Sequence, residues 1–300
     1  MTDKKLFTHF KLSEQFQQRL YWLLGAAILI HAIALFAMVF TAHQTHWGNY
    51  LFLVIGMPNA QAIFIEKITV SIFLIVTIVA VLRPRAYLLF PIFAYVFFEA
   101  YSGYYQGGYR FSDWTLATQA LRYLTPLAFL VLVLPQTRFF TESRKLLASG
   151  WLLRIGLVLL FISHGLLAFW ENPAFIDLIL GSAWNLLGIS IAESTAVQVL
   201  KVIGIVDIVL AIGLLIRPWK WILYWMAFWG LLTAFSRITA LGSWAYFEIL
   251  LRASHILAPL ILLEINRRLQ AVTYQARDEY PVKENLFQRS LWHVKKMVFN

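Results

Sequence analysis

Residues 67–85 read KITVSIFLIVTIVAVLRPR and residues 201–219 read KVIGIVDIVLAIGLLIRPW. Each is an apolar run opened by a lysine and closed by Arg-Pro, with Lys67 matched to Lys201 and Arg83 to Arg217 at a constant separation of 134 positions. As a helix rising about 1.5 Å per residue, such a run approaches the roughly 30 Å of a bilayer's hydrocarbon core. The correspondence extends outward. LIHAIALF at 29–36 answers ISHGLLAF at 162–169, matching His31 with His164. LRYLTPLAFLVL at 121–132 answers LRASHILAPLIL at 251–262, matching Arg122 with Arg252. One such match is a coincidence any apolar helix can produce. Matched ionisable residues on three separate runs point to an internal duplication.

Eight segments are long and apolar enough to span a bilayer: 20–42, 62–82, 86–106, 115–134, 151–170, 195–216, 219–237 and 246–265. The expected fold class is all-α, a polytopic membrane protein of eight transmembrane helices in two parallel-repeat four-helix bundles. Four spans per copy is an even number, so both copies insert the same way up. The expected organisation is a first repeat at 1–134, a linker at 135–150, a second repeat at 151–265 and a basic tail at 266–300. The first span exceeds the 7–15 residues of a signal-peptide core and is read as retained. Of the 25 Lys and Arg, 19 fall on one side of this arrangement, so the positive-inside bias puts both termini in the cytoplasm of a bacterial-type inner membrane.

Composition agrees. Only 13% of residues are charged and 60% are hydrophobic, with a mean hydropathy of +0.70, which excludes a single water-soluble globule. The net charge of +10 is explained by topology and needs no nucleic acid. The absence of cysteine excludes thiolate catalysis, Cys-ligated zinc and Cys-held iron–sulfur clusters. Dinucleotide, phosphate-loop, zinc-protease and serine-hydrolase motifs are missing too. In the tail, Phe287, Leu291 and Val294 form an apolar face beside Lys295 and Lys296, the pattern of a helix lying on an anionic leaflet; a partly ordered basic tail is the plainer reading. The outer connections 43–61 and 171–194 lack Lys and Arg and are too apolar for free loops, so they are expected to lie in the interface, with Trp47, Tyr50, Trp170 and Trp184 at headgroup level, or to dock a partner.

The second half resembles the DoxX-like family of membrane proteins. WLLRIGLVLLFISHGLLAF at 151–169, with Arg154, Gly156, His164 and Gly165, is similar to the family's first helix. VLKVIGIVDIVLAIGLLIRP at 199–218 is similar to the second, with Asp207 where the family tends to carry an acidic residue. YFEILLRASHILAPLILL at 246–263 is similar to the fourth, with Glu248 near its start. The first half departs from the pattern, with Phe73, Thr118 and Thr125 where Asp207, Glu248 and His255 would be. The resemblance implies four-helix units linked to thiosulfate:quinone oxidoreduction and membrane redox assemblies.

Ionisable groups inside spans cost several kcal/mol and usually face a protein interior or cavity. Glu248, Arg252 and His255, at i, i+4 and i+7, share a helix face. Asp207, His164 and His255 lie near the midplane by helical rise, with Lys201 at the outer shoulder. Lys201 and Asp207 are six residues apart, about 120° around the helix, and do not share a face. The expected site, opening to the outer face, has Asp207, Glu248, Arg252 and His255 as catalytic candidates and His164 and Lys201 as ligand-binding ones. The plain alternative is a set of buried hydrogen bonds that cross-link the bundle. In the first repeat, His31, Lys67, Glu99 and Arg122 are secondary candidates, with Glu99 placed to neutralise Lys67 or Arg122, and the copy is read mainly as scaffold. His31 and His164 could ligate a b-type haem if their helices face each other, but lone histidines on apolar helices are more often core residues. His43 and His46 form an i, i+3 pair with no carboxylate near in sequence. Three functions stay open: a redox-linked subunit binding a quinone-like or other amphiphilic ligand, a small-solute or lipid transporter, and an accessory subunit that docks other membrane subunits or a second copy.

Overall fold

The computed structural model describes residues 12–41, 44–106, 111–137 and 140–279, the last eight by backbone alone. The tail face at Phe287, Leu291, Val294, Lys295 and Lys296, and His43 of the outer-loop pair, lie outside these residues. Twelve α-helices and two short 3₁₀ turns, with no strand, make up the structure of the described residues. In chain order they are α1 (Glu14–Phe40), α2 (His46–Leu53), α3 (Asn59–Leu82), α4 (Ala86–Tyr105), α5 (Thr115–Thr118), α6 (Ala120–Val133), α7 (Glu142–Phe169), α8 (Pro173–Leu187), α9 (Glu193–Ile216), α10 (Lys220–Leu241), α11 (Tyr246–Leu250) and α12 (Ala253–Glu279).

Seven described stretches are long and apolar enough to cross a bilayer: α1, α3, α4, Ser112–Val133, α7, α9 and Ser243–Ala271. This is the helix set of a polytopic membrane protein. Of the eight expected spans, 219–237 is the exception: α10 has 22 residues, but its Trp, Tyr, Ser, Thr and Arg237 make it less apolar than the rest. Outward faces are apolar, as lipid requires; Ile75 is 61%, Val209 62% and Ile216 72% exposed.

Helix ends follow local chemistry. α1 begins earlier than expected because Ser13 caps it, its hydroxyl accepting from the Phe16 N–H. Arg-Pro ends α3 and α9 at Arg83 and Arg217, since the residue before a proline disfavours helical backbone. α7 takes up the second half of the expected linker and starts at Glu142, whose carboxylate accepts from the Leu12 N–H at 2.8 Å. α12 continues through the expected start of the tail, where Glu264 pairs with Arg267 at 3.4 Å one turn on.

The two halves pack in corresponding ways. α1 lies on α3 and α4 on α6; α7 lies on α9 and α10 on α12. Between halves, α6 packs on α7 and α12 on α1, with α6 also touching α12. The first and fourth helices of both halves therefore form the middle of the protein. One continuous core runs through them, from Leu24, Leu35 and Phe129 to Leu157, Ile222 and Ile261, so the expected side-by-side bundles share an interior.

Cations on α7 hold the ends of two neighbours. A helix C-terminus leaves four carbonyls without partners and carries partial negative charge. Lys145 Nζ donates to the carbonyls of Leu132 and Leu134 at 3.3 and 2.9 Å, closing α6. Arg154 donates through Nε to Leu214 and through a terminal nitrogen to Leu215, both at 2.8 Å, closing α9. Replacing Arg154 by Ala is expected to destabilise the protein by about 1 kcal/mol, the value of partly exposed charged hydrogen bonds. A lowered thermal midpoint in detergent, partly restored in Arg154→Lys, is the readout.

Candidate functional site

The site is built at a close helix crossing. A Cβ on Gly165 would lie 2.7 Å from the Gly204 carbonyl oxygen, and one on Gly204 would lie 2.5 Å from the Gly165 carbonyl oxygen. Only glycine at both positions lets α7 and α9 approach this closely. His164, beside Gly165, and Asp207, three residues after Gly204, are thereby brought to one interior space. A third glycine sets the opposite wall. A Cβ on Gly230 of α10 would lie 2.8 Å from the His255 carbonyl oxygen on α12. Pro259, four residues after His255, has no N–H to bond that carbonyl.

α8 covers the space. Asn172 caps it by accepting from the Ala174 N–H, and Pro173 occupies its first turn. Its far end is fixed to α10: the Ser182 and Thr239 hydroxyls are 2.7 Å apart, and Asn185 Nδ2 donates to the carbonyls of Thr239 and Ala240 at 2.8 and 3.2 Å. The apolar segment 171–194 thus docks on its own chain.

Beneath α8, between α7, α9, α10 and the α11–α12 junction, is a cavity of about 440 Å³. Its walls are mostly apolar, including Leu160, Phe161, Leu178, Ile179, Leu200, Ile203 and Leu232, and its polar side chains are His164, Asp207, Arg237, Arg252 and His255 with Ser182, Thr233 and Ser236. His164 Nδ1 lies 3.0 Å from the Leu160 carbonyl. A carbonyl only accepts, so Nδ1 carries the proton and Nε2 is left with a lone pair in the neutral ring. The ring stacks on Phe175 at 5.7 Å and meets His255 edge-on at 6.4 Å. Asp207 accepts from the Trp229 indole. Asp207 Oδ1, His255 Nε2 and Arg237 Nε are buried without a protein partner. Buried polar atoms are nearly always hydrogen-bonded, and these three leave hydrogen-bonding capacity facing one cavity that the chain itself does not use.

Arg252 sits where the fourth helix of this half is broken, between α11 and α12. Its guanidinium donates to both the carbonyl and the carboxylate of Glu248, each at 2.6 Å. The expected pair therefore forms, with Glu248 holding Arg252 at the cavity from behind.

Two expectations need correction. Lys201 does not line the cavity; it pairs with Glu171 at 2.7 Å, both side chains being nearly half exposed. The 120° separating it from Asp207 turns it away. Glu99 forms no ion pair with Lys67 or Arg122 among the described residues. Its Oε1 accepts from the His46 N–H at 3.3 Å, while Glu66 Oε1 accepts from the Thr45 N–H and hydroxyl at 2.7 and 2.5 Å. The two carboxylates hold the N-terminus of α2. A Cβ on Gly48 would collide with the Glu66 carboxylate, so glycine is required there. Lys67 stands over the Phe40 ring at 5.5 Å.

The matching region of the first half is packed differently. Phe73, at the position matching Asp207, packs on Tyr95 with ring centroids 4.5 Å apart. His31 and Arg122 border a void of only about 10 Å³, with Thr125 and with Ser254 of the second half. That is room for about one water. His31 and His164 therefore do not face each other across one space. His46 Nδ1 lies 3.1 Å from Gln106 Oε1, and no group of three metal-ligating side chains occurs among the described residues.

Arg237 escaped the sequence reading, which placed it at the outer end of a span closing at residue 237. α10 runs on to Leu241 and stops at Gly242, a glycine with φ +96°. That glycine was the available signal, because such a residue commonly ends a helix. Trp229, Gly230, Thr233, Ser236 and Arg237 follow the helical period and make up α10's cavity face.

Set against known proteins, the chain matches no family model, no curated protein and no solved structure.

Glu248→Gln removes the carboxylate from a buried guanidinium. The expected cost is about 3 kcal/mol, with Glu248→Gln/Arg252→Gln less destabilised than the sum of the single variants. Thermal unfolding of the four proteins in one detergent measures this coupling.

Proposed function

We propose that this chain is a DoxX-like integral membrane protein with two halves inserted the same way up, whose second half binds a quinone-like or other amphiphilic ligand within the membrane as part of a redox-linked assembly. In this reading the termini are cytoplasmic and the membrane is a bacterial-type inner membrane, on the strength of the Lys and Arg distribution. The corresponding pairings of α1–α3 with α7–α9 and of α4–α6 with α10–α12, and the reciprocal seams α6–α7 and α12–α1, support the duplication. So do the fourth helices, each interrupted at its start, at Gln119 and at Leu251–Arg252.

The observation that carries the ligand reading is the 440 Å³ cavity, apolar in its walls and polar at His164, Asp207, Arg252 and His255. Ligand sites are commonly of this size and combine apolar walls with a few placed polar groups. Groups that only cross-link a bundle would be bonded to one another, whereas Asp207 and His255 keep polar atoms free. Reduction of a quinone takes up protons, and His164, Asp207 and His255 are titratable groups beside the bound head.

Ile203→Trp places a large side chain in the cavity and is expected to weaken decylubiquinone binding to the purified protein about tenfold or more. Leu200→Phe is a milder companion should the first variant not fold. Unchanged affinity in a folded variant would remove the cavity from this reading. Solute flux into liposomes containing the chain alone, without quinone binding, would favour transport instead.

A further inference from the structure

The charges at the cavity narrow the chemistry of its occupant. Arg237 lines it, and its Nε is buried without a partner. The charged groups acting on this guanidinium are Arg252, Glu248 and Arg122. Glu248, the one carboxylate among them, is already bonded to Arg252 at 2.6 Å. Glu99 acts on Arg122 as well, which leaves Arg237 and Arg252 at the cavity with one carboxylate, Glu248, between them. Asp207, which lines the same cavity, makes no ion pair with Arg237 and accepts from Trp229.

Arginine stays protonated in proteins, so this excess cannot be relieved by losing a proton. An unpaired guanidinium in low-dielectric surroundings costs several kcal/mol, and an oxyanion is the partner its planar fork suits best. A neutral quinone head accepts hydrogen bonds but leaves the charge. A small inorganic anion meets the charge but leaves Leu200, Ile203 and Leu178 unfilled.

We infer that the ligand is an amphiphile with an acidic head, a carboxylate or phosphate on a single hydrocarbon chain, and that Arg237 receives the head with Arg252 beside it. This rests on the amphiphile reading above and specifies the head. A cavity of about 440 Å³ is of the size that encloses one small ligand, which a single-chain amphiphile matches and a two-chain phospholipid exceeds. Leu186 and Leu187 on its rim are 65% and 68% exposed, leaving an apolar way in from surrounding lipid.

The test uses the full chain in nanodiscs of uncharged lipid, with radiolabelled dodecanoate and its methyl ester as probes at neutral pH. The wild type is expected to bind the acid about tenfold or more tightly than the ester. Arg237→Gln is expected to bring the acid down to the level of the ester, in a variant whose cooperative thermal unfolding shows that it is folded. Equal binding of acid and ester by the wild type, or a preference that survives Arg237→Gln, overturns the acidic head and leaves the amphiphile reading standing. Failure to bind acid, ester and decylubiquinone alike overturns both. Mass spectrometry of lipid extracted from the purified chain separates the sources: a fatty acid or alkyl phosphate supports the proposal, and a two-chain acidic phospholipid as the sole copurifying amphiphile overturns its single-chain part.

Discussion

The site depends on the contact in which Gly165 and Gly204 each place their Cα against the other's carbonyl. Without a hydrophobic driving force between helices in lipid, small residues that let backbones meet are a main source of association. Here they also fix an azimuth. With α7 and α9 locked at that point, His164 and Asp207 project to the same side, and the side chains of α10 and α12 meet them across a gap that no large residue fills. The corresponding positions of the first half are Ala32 and Val70, both fully buried. The first pair of helices packs through side chains there.

The halves diverge in what they do with polar groups. In the first, Glu66 and Glu99 hold the N-terminus of α2, Lys67 rests on a phenylalanine, and Phe73 with Tyr95 fills the space that Asp207 opens in the second. In the second, the outer helix is held by neutral hydrogen bonds at its far end, and the charges beneath it remain around a cavity. An aspartate beside a cavity in one half stands where the other has a phenylalanine packed on a tyrosine.

Much of this was legible in the sequence, for a physical reason. Bilayer-length apolar runs ended by Arg-Pro leave little freedom in where helices begin and end, so α3, α4 and α9 fall within three residues of their expected limits. The pairing of Glu248 with Arg252 followed from helical spacing; the same arithmetic separated Lys201 from Asp207, yet Lys201 was expected in the site and instead pairs outward with Glu171. Three features were hidden. Arg237 looked like a loop residue because a charge after an apolar run normally marks the membrane edge, and only tertiary packing keeps α10 going past it. The role of Glu66 needed the fold of α2 over α3, a contact with no local signature. The early start of α7 depended on Lys145 finding carbonyls on α6, which no pattern within α7 announces.

The two cations on α7 also bear on how the protein can move. Lys145 grips the last turn of α6, in the first half, and Arg154 grips the last turn of α9, in the second. One rod is thereby pinned at the same end to α6 across the seam and to α9 beside it, and rocking the first half against the second there means tearing the Lys145 ammonium from bare carbonyls. The opposite end is fastened by hydroxyls and an amide between α8 and α10, weaker ties that break and re-form more easily. Within the second half, α8 is thus the element most easily lifted, and it is the one that covers the cavity.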